Sequence, residues 1–239
     1  PACALTLAKL PSRITLIAAG CGAAALAGGG RAAKLQRAQG ELLLFTDADT
    51  RHTPELGARA IAAMRERGAD MLSVMGTQEM GTFWERLLMP QVFVFILSRY
   101  GNTERMSRST KPLDKIANGQ FFIVTREAYR RMGGHEAVRG HVAEDLRIAQ
   151  EVCRAGGSVQ FVQGLAYIST RMYDGLGELM RGWGKNVYAG GRDTLALGPV
   201  GQAVLRVVFP VPALWNVVPF VLGLAALAGL LPNGVLLWA

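Results

Sequence analysis

One stretch constrains this chain more than any other: Leu42-Leu43-Leu44-Phe45-Thr46-Asp47-Ala48-Asp49. Four consecutive apolar residues cut off by charge have the form of a fully buried strand that ends at the edge of a sheet. In open α/β sheets, ligands gather at the carboxyl ends of strands. Two carboxylates one residue apart at such an end suit a hard divalent ion that keeps waters and takes diphosphate oxygens. A solvated acidic turn is the other reading, since Asp is a common turn former. The residues downstream weigh toward the ion.

The 239 residues are enough for one good-sized domain and an appendage. Half of them are hydrophobic and 18% are charged, which is apolar for a globular chain. The net charge is +8, without a dense Lys/Arg block or much aromatic interleaving, so nucleic acid is not the expected partner. A basic balance beside apolar segments fits an anionic membrane face or a phosphorylated substrate. Cys3, Cys21 and Cys153 are odd in number and scattered, which argues against a disulfide framework. His52, His135 and His141 are too dispersed to suggest zinc.

Around the organising strand, Thr53-Pro54 predicts a helix start, with Thr as N-cap, running to Arg67 and stopped by Gly68. Asp70 to Met75 then reads as a strand, giving a parallel strand-helix-strand unit. Thr82 to Ser98 is a helix apolar on most of its surface, either a core helix or one lying on lipid. Arg99 to Lys115 has no apolar period and reads as a loop. Asn118-Gly119-Gln120 leads into a buried strand, Phe121 to Val124, after which Thr125 caps a short helix. Glu144 and Asp145 open a helix that runs to about Ala155, where acids also favour the helix dipole. Ser158 to Val162 and Leu165 to Ser169 read as strands.

The two ends differ from the middle. Ile14 to Ile17 has the form of a strand. Lys9 and Arg13 ahead of an apolar run ending Ala25-Leu26-Ala27 also have the form of a secretory signal, and Ala19-Gly20-Cys21 that of a lipoprotein signal. At the other end, Val207 to Ala239 contains no charged residue. Val207 to Leu231 exceeds the roughly 20 apolar residues that cross a bilayer. Arg181, Lys185, Arg192 and Arg206 would place its N-terminal side in the cytoplasm.

The order of these features resembles the family-2 inverting glycosyltransferases with the GT-A fold. The features are Asp47-Ala48-Asp49, then Asn118-Gly119-Gln120-Phe121-Phe122, then Glu144-Asp145, then a helix with Arg181 and Trp183, then apolar spans. Phe83-Trp84-Glu85-Arg86-Leu87-Leu88, Met172-Tyr173-Asp174-Gly175-Leu176 and Gly182-Trp183-Gly184-Lys185-Asn186 are similar to membrane-bound lipid glycosyltransferases, such as the hopene-associated group. The likeness extends from about Leu35 to Leu231.

The resemblance implies an α/β GT-A (Rossmann-like), mostly parallel sheet flanked by helices, incomplete at the N-terminus, with transmembrane segments at the C-terminus. Expected divisions are an atypical segment 1–30, a catalytic domain 31–190, a connector 191–206 and a membrane part 207–239. The resemblance assigns Asp47 and Asp49 to a divalent cation, Mg or Mn, and to the donor diphosphate. It assigns Asp145 as catalytic base with Glu144 beside it, Gly119 and Gln120 to the acceptor region, and Arg181 and Trp183 to the diphosphate. The implied partners are a nucleotide-sugar donor, a lipid acceptor and the inner membrane, with the catalytic domain on its cytoplasmic face. The implied reaction is sugar transfer with inversion to a lipid-like hydroxyl, hopanoid or another polyisoprenoid.

Two departures stand out. The family's Gln-x-x-Arg-Trp here reads Glu178-Leu179-Met180-Arg181-Gly182-Trp183. The strand-turn-strand unit that grips the nucleotide base is not visible before Leu35. A polysaccharide synthase and a non-catalytic membrane-surface relative are the alternative readings.

Overall fold

The apolar runs of the sequence become strands whose side chains alternate between two cores. The computed structural model of the chain describes residues 14–19, 40–141, 143–183, 221–226 and 228–229. A five-stranded sheet contains β1 (Ile14–Ala19), β2 (Leu42–Asp47), β4 (Met71–Met75), β6 (Phe121–Thr125) and β7 (Val159–Gln163), in the order β1-β2-β6-β4-β7. A second, three-stranded sheet orders β3 (Thr50–His52), β8 (Ile168–Thr170) and β5 (Thr77–Gln78) as β3-β8-β5. The helices are α1 (Leu56–Glu66), α2 (Phe83–Tyr100), α3 (Thr103–Arg108), α4 (Arg126–Arg131) and α5 (Glu144–Arg154).

Strand side chains point to opposite faces in turn. Leu44, Leu72, Val74, Phe121 and Ile123 therefore pack on Leu56, Ala60, Ile61 and Met64 of α1. Leu43, Phe45, Met71, Phe122 and Val124 pack on the other side against Ala128 and Tyr129 of α4 and Ile148, Ala149 and Val152 of α5. Phe45 and Phe122, opposite each other across β2 and β6, stack with ring centroids 4.6 Å apart. Both faces of the sheet are covered, which is why its strands read as continuous apolar runs.

The expectation of a mostly parallel sheet holds for all but one strand. β1, β2, β4 and β7 share one direction, but β6 runs antiparallel to both its neighbours, β2 and β4. The sheet is mixed. This has a consequence for the site: the carboxyl end of β2 and the amino end of β6 meet at one edge, bringing Asp47 beside Gly119 and Gln120.

Two local expectations also change. Thr53 does not cap the first helix; its N–H donates to the Tyr167 carbonyl (2.9 Å), which holds Thr53 in line with β3 and delays the helix to Leu56. Residues 99–115 are not a loop. Asn102 caps α3 by accepting from the Arg105 N–H (2.8 Å), and Pro112–Asp114 forms a 3-10 turn. The Lys115 ammonium, buried, donates to the carbonyls of Met106, Ser107 and Val159 and fastens this segment to β7. Between α4 and α5, Gly134–Val138 is likewise a 3-10 turn.

The span expected at 207–231 lies outside the described residues apart from a helical stretch at 221–226 and a turn at 228–229. The segments 1–30 and 191–206 also lie outside them, save for β1. Among the described residues, no helix is long and apolar enough to cross a membrane.

Candidate active site

The site grows from the turn that joins β2 to β3. Asp47 ends β2 and is half-buried, while Asp49 is exposed in the turn. The turn is fixed at both ends. Thr50 Oγ1 donates to the Asp47 carbonyl (2.8 Å), and Thr170 Oγ1 of β8 donates to the Asp49 carbonyl (3.2 Å). Asp side chains in turns usually bond their own backbone, but here threonine hydroxyls hold the carbonyls of the turn.

Asp145 reaches the same place from the other side of the sheet. It lies in the first turn of α5, and its Oδ1 accepts from the Leu146 N–H (2.8 Å). Its Oδ2 accepts from the Gly119 N–H (2.7 Å), just ahead of β6. Burial pushes the Asp145 pKa above the ordinary carboxylate value, against the pull of these backbone N–H groups. A carboxylate whose pKa is raised by desolvation at a sheet edge has the character of a proton acceptor.

Gly119 stands between the two acids. A Cβ added there would lie 3.2 Å from Asp145 Oδ2 and 3.5 Å from Asp47 Oδ2. The two carboxylate oxygens are therefore less than about 7 Å apart, flanking the space that the missing side chain leaves. Glu144 precedes Asp145 in the same turn and is partly exposed.

Beneath this edge Gln120, which the resemblance assigns to the acceptor region, lies in a set of amides with Gln78 and Asn118. Gln78 Nε2 and Asn118 Nδ2 both donate to Gln120 Oε1 (3.1 and 2.9 Å). The Gln120 N–H donates to Asn118 Oδ1 (3.2 Å), and the Asn118 N–H to Ser73 Oγ (2.8 Å). Gln120 is only 5% exposed, so its side chain forms the floor of the site rather than its opening. A signal for the set does exist in the sequence: Ser73, Gln78, Asn118 and Gln120 are polar residues beside apolar strand runs.

Arg181 and Trp183 belong to a helical stretch at 176–183. Trp183 Nε1 donates to Met89 Sδ of α2 (3.0 Å), and the indole faces Tyr173 at 6.5 Å. A Cβ on Gly182 would come within 2.4 Å of the Tyr173 ring, so the glycine that separates Arg181 from Trp183 is what lets this stretch close on Tyr173. Arg181 is exposed, with its guanidinium near Gly177.

Among the described residues, no group of three or more His, Cys, Asp or Glu side chains is placed to hold a metal ion. The donor set of Asp47 and Asp49 is the kind that Mg or Mn uses jointly with phosphate oxygens and water, not a complete protein cage. The pair fits a cation brought or completed by a diphosphate.

A strand-end acid pair, a second acid at a helix start and a glycine between them occur in the order noted in the sequence. Residues 42–239 match the model of glycosyl transferase family group 2. The chain belongs to that family. Among solved structures, this family member is similar to the mannosyltransferase PcManGT of Pyrobaculum calidifontis, solved with GDP-Man and Mn2+. The TM-score is 0.52 at 19% identity, over 88% of this chain and 57% of that one. It is also similar to S. aureus TarS 1-349 in complex with UDP-GlcNAc, with TM-score 0.41, 16% identity and 64% and 40% of the two chains covered. A third is mannosyl-3-phosphoglycerate synthase from Rubrobacter xylanophilus, with TM-score 0.38, 19% identity and 73% and 52% coverage. At these identities the likeness to PcManGT bears on the fold alone. The chain spans 40 to 57% of the length of these solved proteins. No curated protein matches.

Proposed function

We propose that this family member transfers a sugar from a nucleotide-sugar donor to a lipid-like hydroxyl with inversion of the anomeric centre. The observation that carries the reading is the approach of Asp47 and Asp145 on either side of Gly119. Inversion by direct displacement needs a base for the acceptor hydroxyl on one side of the sugar and charge stabilisation for the departing diphosphate on the other.

Asp145 is the base: it takes the acceptor proton as the acceptor oxygen bonds to the anomeric carbon. The Gly119 N–H orients its carboxylate, and burial raises its affinity for the proton. Asp47 and Asp49 hold a divalent cation, Mg or Mn, which when bound supplies positive charge to the diphosphate. Glu144 adjoins the base, and the Gly119 backbone borders the acceptor side. Arg181 and Trp183 border the donor diphosphate once donor is bound.

A lipid acceptor and a place at the membrane are supported by the apolar surface of α2, and the cytoplasmic face by the basic residues Arg181, Lys185, Arg192 and Arg206 ahead of the uncharged segment. Phe83 (68%), Trp84 (43%), Val94 (57%) and Leu97 (47%) are exposed on α2, and Met180 of the neighbouring stretch is exposed as well. The uncharged sequence after Val207 adds to this. A hopanoid or another polyisoprenoid alcohol is the acceptor class.

The test is transfer from a nucleotide-sugar panel to membrane lipids by the full-length protein and by Asp145→Asn. Loss of a general base lowers the rate by about 10²- to 10⁴-fold, and the product should have inverted configuration. The rate of the unsubstituted enzyme should fall in acid with a midpoint above the ordinary Asp value of 3.8. Undiminished transfer by Asp145→Asn would remove Asp145 as base.

A further inference from the structure

Under the acidic turn lies a cluster that the proposed chemistry does not use. Thr46, fully buried, is the next-to-last residue of β2; Thr50 and His52 begin and end β3. Thr46 Oγ1 reaches the Gln120 carbonyl (2.9 Å) and, at longer range, the Asp47 carbonyl (3.3 Å). Thr50 Oγ1 reaches the Asp47 carbonyl (2.8 Å). The two hydroxyl oxygens are 3.1 Å apart, and His52 Nε2 touches both, at 3.2 Å from Thr46 and 2.9 Å from Thr50.

Counting protons assigns the network. Each hydroxyl has one proton and can accept twice. If Thr46 donates to the Gln120 carbonyl and Thr50 to the Asp47 carbonyl, neither has a proton left for His52. The imidazole must then donate, so its proton sits on Nε2 and is shared between the two hydroxyls. Nδ1 is left as a bare lone pair, in agreement with a buried Nδ1 that has no partner. Burial pushes the His52 pKa down, which keeps the ring neutral. The ring is wedged edge-on against Phe121 (5.5 Å, 88°), and the His52 backbone pairs with Ile168 in the second sheet.

The network joins two segments distant in sequence. One is the turn whose carboxylates, in the proposed reaction, would hold the cation. The other is Gly119-Gln120, whose Gly119 N–H holds Asp145. We propose that His52, acting through Thr46 and Thr50, is a positioning residue that locks the Asp47–Thr50 turn to the Gly119–Gln120 segment and so sets the spacing of the cation-binding acids from the base. It rests on the reaction proposed above. An apolar cluster of the same volume would fill the space but leave the Gln120 and Asp47 carbonyls without their hydroxyl donors. The three polar side chains fix the two segments by directional bonds, as outer partners of metal ligands do.

The first test does not depend on activity. In the full chain labelled with 15N-histidine, His52 at pH 7 should show the Nε2–H tautomer with an unprotonated Nδ1. An Nδ1–H tautomer or a doubly protonated ring overturns the proposal. Second, His52→Phe keeps a ring without nitrogen, and His52→Gln keeps an N–H at similar reach. Calorimetry with Mn2+ in the presence of GDP should show affinity about tenfold weaker in His52→Phe and within about threefold of the parent in His52→Gln. Amide exchange at Gly119 should speed up in His52→Phe and stay slow in His52→Gln.

Equal weakening in both variants, or none in either, overturns the positioning role. If His52→Phe does not fold, Thr50→Val against Thr50→Ser makes the same comparison, with the same outcomes deciding. Should the parent chain bind neither Mn2+ nor GDP, the proposed function fails, while the tautomer and the Gly119 exchange rate still decide for or against the lock.

Discussion

The sheet edge at Asp47, Gly119 and Asp145 and α2 stand at opposite extremes of how this chain uses its residues. At the edge, hydrogen bonds tie the turn and the acids in place, from Thr50 on the Asp47 carbonyl to Gly119 on Asp145, while His52 Nδ1 and Gln78 Oε1 are buried without a partner. Along α2, an 18-residue helix is apolar on most sides, yet only Glu85, Met89 and Tyr100 are buried. A helix that is hydrophobic all round normally sits inside a large protein or in lipid. The edge is built for geometry and α2 for surface. In a soluble core the apolar residues would be hidden and the polar ones left outside; here the two are exchanged.

α2 is nevertheless firmly anchored where it starts. Thr82 and Glu85 form a capping box, and Glu85, 1% exposed, pairs with Arg171 (3.3 Å), which also reaches Asp174 (3.4 Å). Burial works to raise the Glu85 pKa, but the Thr82 hydrogen bonds and Arg171 outweigh it and hold the pKa below the ordinary value.

The largest effects should come from the edge. Asp49→Asn is expected to weaken Mn2+ binding in the presence of nucleoside diphosphate by about a hundredfold or more, since losing even an outer partner costs 10- to 100-fold; calorimetry reads it. Gly119→Ala should lower kcat/KM by about tenfold or more, because its methyl intrudes between Asp47 and Asp145. Its melting temperature should stay near that of the parent.

Effects on α2 should appear in folding rather than chemistry. Glu85→Ala removes an acceptor from the half-buried Thr82 N–H and a partner from Arg171, and should destabilise by about 1–3 kcal/mol in urea unfolding at pH 7. A depressed folded-state pKa contributes stability above the unfolded value, near 4.5, and that contribution is lost as pH falls through the folded one. The gap between parent and variant should therefore shrink below pH 4.5. The smallest change in stability, within about 0.5 kcal/mol, is expected for Phe83→Ser with Trp84→Ser, which lie on the exposed face. That pair should reduce co-sedimentation with anionic lipid vesicles; unchanged sedimentation would separate α2 from the membrane.

The two regions were unequally legible in the sequence. The strands and the acids at their ends were readable because burial on both faces writes itself as apolar runs, such as Leu42 to Phe45 and Phe121 to Val124. The reversed direction of β6 was not, since an apolar run carries no sign of strand direction. Thr53 looked like a helix cap, and only its bond to Tyr167, more than a hundred residues away, shows why it is not. The resemblance assigns Gly119 to the acceptor region, but its bond to Asp145 is not legible in the sequence, because it depends on Asp145 arriving from α5. His52 read as a dispersed histidine, although two threonines within six residues of it, on either side of the acid pair, were the available clue. Long-range contacts, not local pattern, made the difference each time.

The most direct measurement is anomalous diffraction at the manganese edge from crystals of the full-length protein grown with Mn2+ and a nucleoside diphosphate. The expected result is one peak about 2.0–2.2 Å from a carboxylate oxygen of Asp47 or Asp49, as small octahedral divalent ions require, with the Asp145 carboxylate across the gap at Gly119. A peak at other residues, or an Asp145 carboxylate turned away from the bound diphosphate, would contradict the shared site.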